Sequence, residues 1–256
     1  MSDHMLWAEA RDLVSVGEIG KGYAFFGHPS MSTSIFAPRI DSAFLLTPGK
    51  ERVSLNLQRG GWLPGFGHME FLQADMMHYW PGDYVFGLAR TPGVYDLSWH
   101  GGKSGLFLSR SYAKVIVHAG AEGSDDAAAG PSSQAWSAGF PLEILPVRAP
   151  YKAKAGQSLD FDVKYLGRPV KAGYYASYWA WDEQGDSRVQ RGTADEEGRF
   201  SVNLSRGGMW IIDASLTLNE PGIYVAEESK SRFYKAGDRL EYNTIQVKSE
   251  MTIWAR

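Results

Sequence analysis

The chain contains no cysteine, which excludes disulfide frameworks, thiolate metal sites and cysteine nucleophiles. It has no basic excess either. The formal net charge is -3 over 256 residues, so there is no electrostatic footprint for nucleic acid. No apolar run approaches the roughly 20 residues of a membrane-spanning helix. Low-complexity sequence is scarce and 44% of the residues are hydrophobic, more than a disordered chain carries. Enzyme signatures are missing as well: there is no H-E-x-x-H, no G-x-S-x-G, no G-x-x-x-x-G-K-[ST] and no helix-opening G-x-G-x-x-G. Acidic pairs such as Asp125-Asp126 and Glu227-Glu228 lie in polar segments and read as solvated charge. A non-enzymatic protein is expected.

What the chain does have is aromatics, 34 of them by type (12 Phe, 9 Trp, 13 Tyr), and 29 glycines. Short aromatic and β-branched runs alternate with turn residues. Tyr23-Ala-Phe-Phe26, Gly82-Asp-Tyr-Val-Phe-Gly-Leu88, Ala113-Lys-Val-Ile-Val117 and Ser158-Leu-Asp-Phe-Asp-Val-Lys-Tyr165 are examples. Several show the period of two that a half-buried strand requires. Pro48-Gly49, Pro81-Gly82, Pro92-Gly93 and Pro221-Gly222 punctuate them, and no amphipathic helix of three turns is visible. The expectation is an all-β chain of two β-sandwich domains, the second immunoglobulin-like. Residues 1–122 form the first and expected metal-binding unit, 123–139 a linker or long loop, and 140–256 the second. Residues 219–240 read as an insertion in the second unit. Tyr174-Tyr-Ala-Ser-Tyr-Trp-Ala-Trp181 reads as a core strand rather than a sugar-binding platform.

Histidine is distributed unevenly. His4, His28, His68, His78, His100 and His118 all precede the linker, together with Met5, Met31, Met69, Met76 and Met77. Imidazole suits nickel, cobalt, copper and zinc, and thioether favours softer ions. His4 has a particular argument. With Met1 excised, Ser2-Asp3-His4 spaces an amine, backbone amides and an imidazole for square-planar Ni(II) or Cu(II). His28 lies in Gly27-His28-Pro29, a strand-end turn that presents a ring without burying it. His68 ends a Gly/Pro-rich loop, and His100 precedes Gly101-Gly102. Alternation puts His78 with Met76 on one face of a strand, either a metal face or a face of mixed burial. His118 closes a strong strand and reads as structural. The candidate ligands are therefore His4, His28, His68, His78, His100 and Met31.

Four stretches resemble a known family: His4-Met-Leu-Trp7, then Gly27-His28-Pro29 trailed by Met31. Next come Pro141-Leu-Glu-Ile-Leu-Pro-Val-Arg-Ala-Pro-Tyr151 with Gly167-Arg-Pro-Val170, and last Thr193-Ala-Asp-Glu-Glu-Gly-Arg-Phe200 leading to Gly208-Met-Trp210. The chain resembles the periplasmic accessory proteins of nickel/cobalt energy-coupling-factor uptake transporters, within a wider domain-of-unknown-function family. That resemblance implies a β-sandwich pair, a signal peptide removed from the mature protein, a periplasmic location, and capture of a nickel or cobalt ion for membrane transporter subunits. Its pattern maps onto His4 and His28. The extra histidine and methionine leave copper open. A carbohydrate-binding or adhesive module without metal is the alternative. A copper oxidase with an N-terminal histidine brace at His4 is a third.

Overall fold

The short alternating runs become strands. The computed structural model describes residues 4–28, 35–60, 70–96, 98, 105–120, 133–179, 190–230 and 233–256. Its regular structure is all β apart from 3-10 turns such as Ser133–Trp136 and Pro150–Lys152. Among the described residues no helix is long and apolar enough to cross a membrane.

A ten-stranded sheet forms the middle layer. It runs from Gln190–Thr193 through Gly173–Trp179, Gly208–Leu218, Thr244–Ala255, Leu106–Ala119, Gly82–Arg90 and Ile40–Leu46 to Arg52–Ser54. Strands Gly93–Asp96 and Leu13–Val14 pair with Leu106–Ala119 off that path. One face is covered by a five-stranded sheet built on Met5–Ala10, Ile19–Gly27 and Leu72–Met77. The other is covered by a four-stranded sheet built on Leu142–Pro146, Gln157–Tyr165 and Arg199–Leu204.

Residue order explains the layering. Along Leu106–Ala119, Leu108 and Ile116 enter the core shared with Leu142, Phe161 and Trp210. Ala113, Val115 and Val117 enter the opposite core with Leu6, Ala24 and Phe86. A strand covered on both sides reads as a nearly unbroken apolar run, which is what Ala113-Lys-Val-Ile-Val117 is. The all-β sandwich expectation holds. The halves before and after 123–139 are also joined side by side: Phe107↔Thr244 to Val115↔Thr252 pair in parallel. The fold is thus two sandwiches with a common middle sheet. Gly222–Val225 and Arg239–Tyr242 make a separate hairpin that covers most of the stretch read as an insertion, 219–240, and runs two residues past it. Tyr174 stacks on Phe200 at 4.4 Å, and Tyr174 and Tyr178 pack against the core, in keeping with a core strand. Trp181 lies outside the described residues.

Two polar clusters fasten the layers. Lys114 Nζ donates to the Trp136 carbonyl at 2.9 Å and to Glu143 Oε1 at 3.3 Å. Glu143 also accepts the Ala138 amide at 2.6 Å and the Ser137 hydroxyl. The Lys114 and Glu143 side chains are 1% and 8% exposed. Burial pushes the Lys114 ammonium below its ordinary pKa, and Glu143 opposes that shift. Nearby, Asp83 accepts His118 Nδ1–H at 2.7 Å and Trp136 Nε1–H at 2.8 Å. His118 stacks on Tyr151 at 4.5 Å. His118 therefore sits in a structural network, as its place at a strand end foreshadowed.

Lys114→Met should cost about 3–5 kcal/mol in chemical denaturation, because it strands a buried carboxylate. The double variant K114M/E143L should recover most of that loss. If the single variant unfolds at the wild-type midpoint, the pair is not fastening the layers.

Candidate functional site

The site starts from strand register. Met5–Ala10 and Ile19–Gly27 are antiparallel, with Leu6 opposite Phe26 and Met5 opposite Gly27. The next residues out are His4 and His28, so continuing the ladder by one step sets them across from each other. Directly opposed residues have Cβ atoms about 4.5–5.5 Å apart. Their rings meet: the centroids are 4.5 Å apart at an interplanar angle of 62°. Gly27 has φ +143°, a conformation open to glycine and strained for other residues, and it is the last residue of its strand. His4 is exposed and His28 half-buried.

Alternation places His4 and His28 on the face that carries Leu6 and Phe26 toward the middle sheet. They lie at the rim of that interior. The His4 ring is edge-on to Phe26 at 5.4 Å and to Phe36 at 6.4 Å. Behind them is a cavity of about 90 Å³ bordered by His4, Phe26, Arg90, Tyr95, Ser111 and Lys248, among others. The Arg90 guanidinium lies 4.1 Å from the Phe26 ring centroid and donates to the Tyr95 hydroxyl. Lys230 Nζ sits 3.4 Å over the Tyr95 ring. Burial, then Arg90, lower the Lys230 pKa to about 8.

The other candidate ligands fare differently. His78 is fully buried, edge-on to Tyr84 at 4.9 Å. Its Nδ1–H donates to the Glu18 carbonyl at 3.2 Å, and its Nε2 is buried with no hydrogen-bond partner among the described residues. Burial lowers its pKa. It follows Met77, which pairs with Ile19 at the far end of the strand that finishes at Gly27. Nine strand residues span roughly 27–30 Å, so His78 does not join the His4–His28 pair. Alternation had grouped His78 with Met76, and both are buried while Tyr79 is 62% exposed. That face is core. His68, His100 and Met31 lie outside the described residues. Among the described residues no group of three His, Asp or Glu side chains could hold an ion.

The cavity wall carries no sequence motif. Ser109, Ser111, Gln246 and Lys248 sit side by side, Ser109 opposite Gln246 and Ser111 opposite Lys248. The signal was polar residues on one face of two strands whose opposite face is apolar. In isolation that pattern reads as a solvent face, yet here it is covered. Glu250, next on the same face, is 1% exposed. Its carboxyl is pushed well above its ordinary 4.5, by burial first and by Asp213 second; Asp213 is its cross-strand partner.

Residues 2–218 match a domain of unknown function, DUF4198. The chain belongs to that family. A search of the curated proteins finds no match. The match includes His4, His28 and the cavity residues Arg90, Tyr95 and Ser111, while Lys248 falls beyond it.

The acid beneath the cavity gives a prediction with a definite sign. Burial and Asp213 make the folded chain hold the Glu250 proton to higher pH than the unfolded chain, whose carboxyl releases it around the ordinary 4.5. Stability from this group is therefore full below that value and is lost as pH rises. Glu250→Gln should raise Tm at pH 7 by several degrees, with the gain vanishing near pH 4. A gain independent of pH would contradict the assignment.

Proposed function

We propose that this DUF4198 member is a non-enzymatic, extracytoplasmic transition-metal-binding protein that captures Ni(II) or Co(II) for an uptake transporter. The observation that carries this reading is the 4.5 Å spacing of the His4 and His28 rings. Imidazole nitrogens bind a first-row ion at about 2.0–2.1 Å, which sets ring centroids on adjacent coordination positions about 4.5–5 Å apart. The two rings come from separate strand ends and are held by a ladder, so little ordering is left for the ion to impose. His4 at the exposed rim gives an ion access from solvent. The likeness to nickel/cobalt accessory proteins supports the choice of ion and a periplasmic setting, with membrane transporter subunits as the recipients.

Isothermal titration of tag-free protein with Ni(II), Co(II), Cu(II) and Zn(II) tests the reading. One site of micromolar affinity or better is expected, about -8 kcal/mol or stronger. Affinity should weaken on acidification, as protons compete for the imidazoles. His28→Ala should lower affinity at least ten-fold, as should His4→Ala, whereas His78→Gln should leave it unchanged. The His28 variant is decisive, because an amino-terminal chelate through His4 alone would not need it. If wild-type protein binds no more tightly than the H4A/H28A double variant, the proposal fails.

A further inference from the structure

Resting on the metal-capture reading, we infer that the cavity behind His4 takes the carboxylate of a small chelator, so that the ion is bound as an anionic-ligand complex rather than as the bare cation. Three observations lead there. The first is the count of donors. Two imidazoles fill two positions of a shell that takes four or more. Among the described residues no third His, Asp or Glu completes a cluster. A ligand that brings its own donors fills the remaining positions.

The second is the sign of the field. Arg90 and Lys248 border the cavity, and Lys230 stands over Tyr95, itself part of the wall. Asp96 is the acid of the lining, and its Oδ1 accepts the amides of Ser98 and Gly105. Glu250 and Asp213 lie deeper along the same sheet face. Burial and their mutual repulsion favour the protonated form of Glu250, which reduces the negative charge there. Arg90 is one aromatic ring away from His4, with Phe26 between them. Such a wall disfavours a bare divalent ion moving inward from His4 and favours an anion.

The third is hydrogen-bonding capacity. Arg90 borders the cavity and uses one guanidinium N–H on the Tyr95 hydroxyl, and a guanidinium has five such donors to offer a carboxylate. Ser109 and Ser111 add hydroxyls to the same lining. The cavity, about 90 Å³, is well above the roughly 10–15 Å³ that one water needs, and suits a carboxylate with a short stem. The aromatic walls of Phe26, Tyr95 and Phe107 give that stem an apolar bed.

Two chelators of equal denticity separate the possibilities. Iminodiacetate is tridentate and carries two carboxylates; diethylenetriamine is tridentate and carries none. Titrating wild-type protein with the 1:1 Ni(II) complex of each should give at least ten-fold tighter binding for the iminodiacetate complex. Arg90→Gln and Lys248→Gln should each remove most of that preference. Equal affinity of wild-type protein for the two complexes overturns the inference, whether or not the variants fold. So does a preference that both variants retain. Failure of the metal-capture reading looks different: aqueous Ni(II) then binds wild type no better than H4A/H28A.

Discussion

The parallel pairing of Leu106–Ala119 with Thr244–Ala255 organises the molecule. It makes one sheet out of strands from both halves of the chain, and that sheet has to be apolar on both sides to serve two covering layers. Where a face of these two strands is not apolar, the reason is local. On one side Lys114 is paired with Glu143 and donates to the carbonyl of Trp136. On the other, Ser109, Ser111, Gln246 and Lys248 open onto the cavity beside His4. The polar interruptions of the common sheet thus include a fastening point on one face and a candidate ligand wall on the other.

The imidazole pair depends on the same layering at one remove. His4 and His28 meet because the strands between them are in register, and those strands stay in register because both faces of Met5–Ala10 are buried. Leu6 and Ala8 face the middle sheet; Met5 and Trp7 pack with Phe25, Met209 and Ile211. A slip of one residue would exchange those faces. The apolar pattern of a six-residue strand therefore sets the spacing of two polar rings at its end.

Much of the fold was legible because strand alternation is a local property. Met76, His78 and Tyr79 fell on the sides that their order demanded, and the aromatic run from Tyr174 packed as a core strand. The joining of the halves was not legible, since nothing within Leu106–Ala119 or Thr244–Ala255 names the other as its partner. The site was legible in part. Gly27 and Pro29 marked His28 as a presented ring, and His4 stood at the start of an aromatic strand, but their convergence is a matter of register. Composition grouped His78 with them, yet composition is blind to which end of a strand a residue occupies. Arg90, Tyr95 and Lys248 carried no motif at all, because their grouping comes from three separate strands.

The common sheet also constrains how the molecule is made. Its central pairing unites a strand from the first half with the strand at residues 244–255, so the loop to be closed, residues 120–243, spans about half of the sequence. Closure of that kind is slow, and the backbone groups at the edge of the earlier strand stay unmatched until the later one arrives. A nascent chain holding only the first half would expose a long, apolar sheet edge, the kind of surface on which chains aggregate. The first half therefore gains the partner for its central strand only when the strand at residues 244–255 arrives.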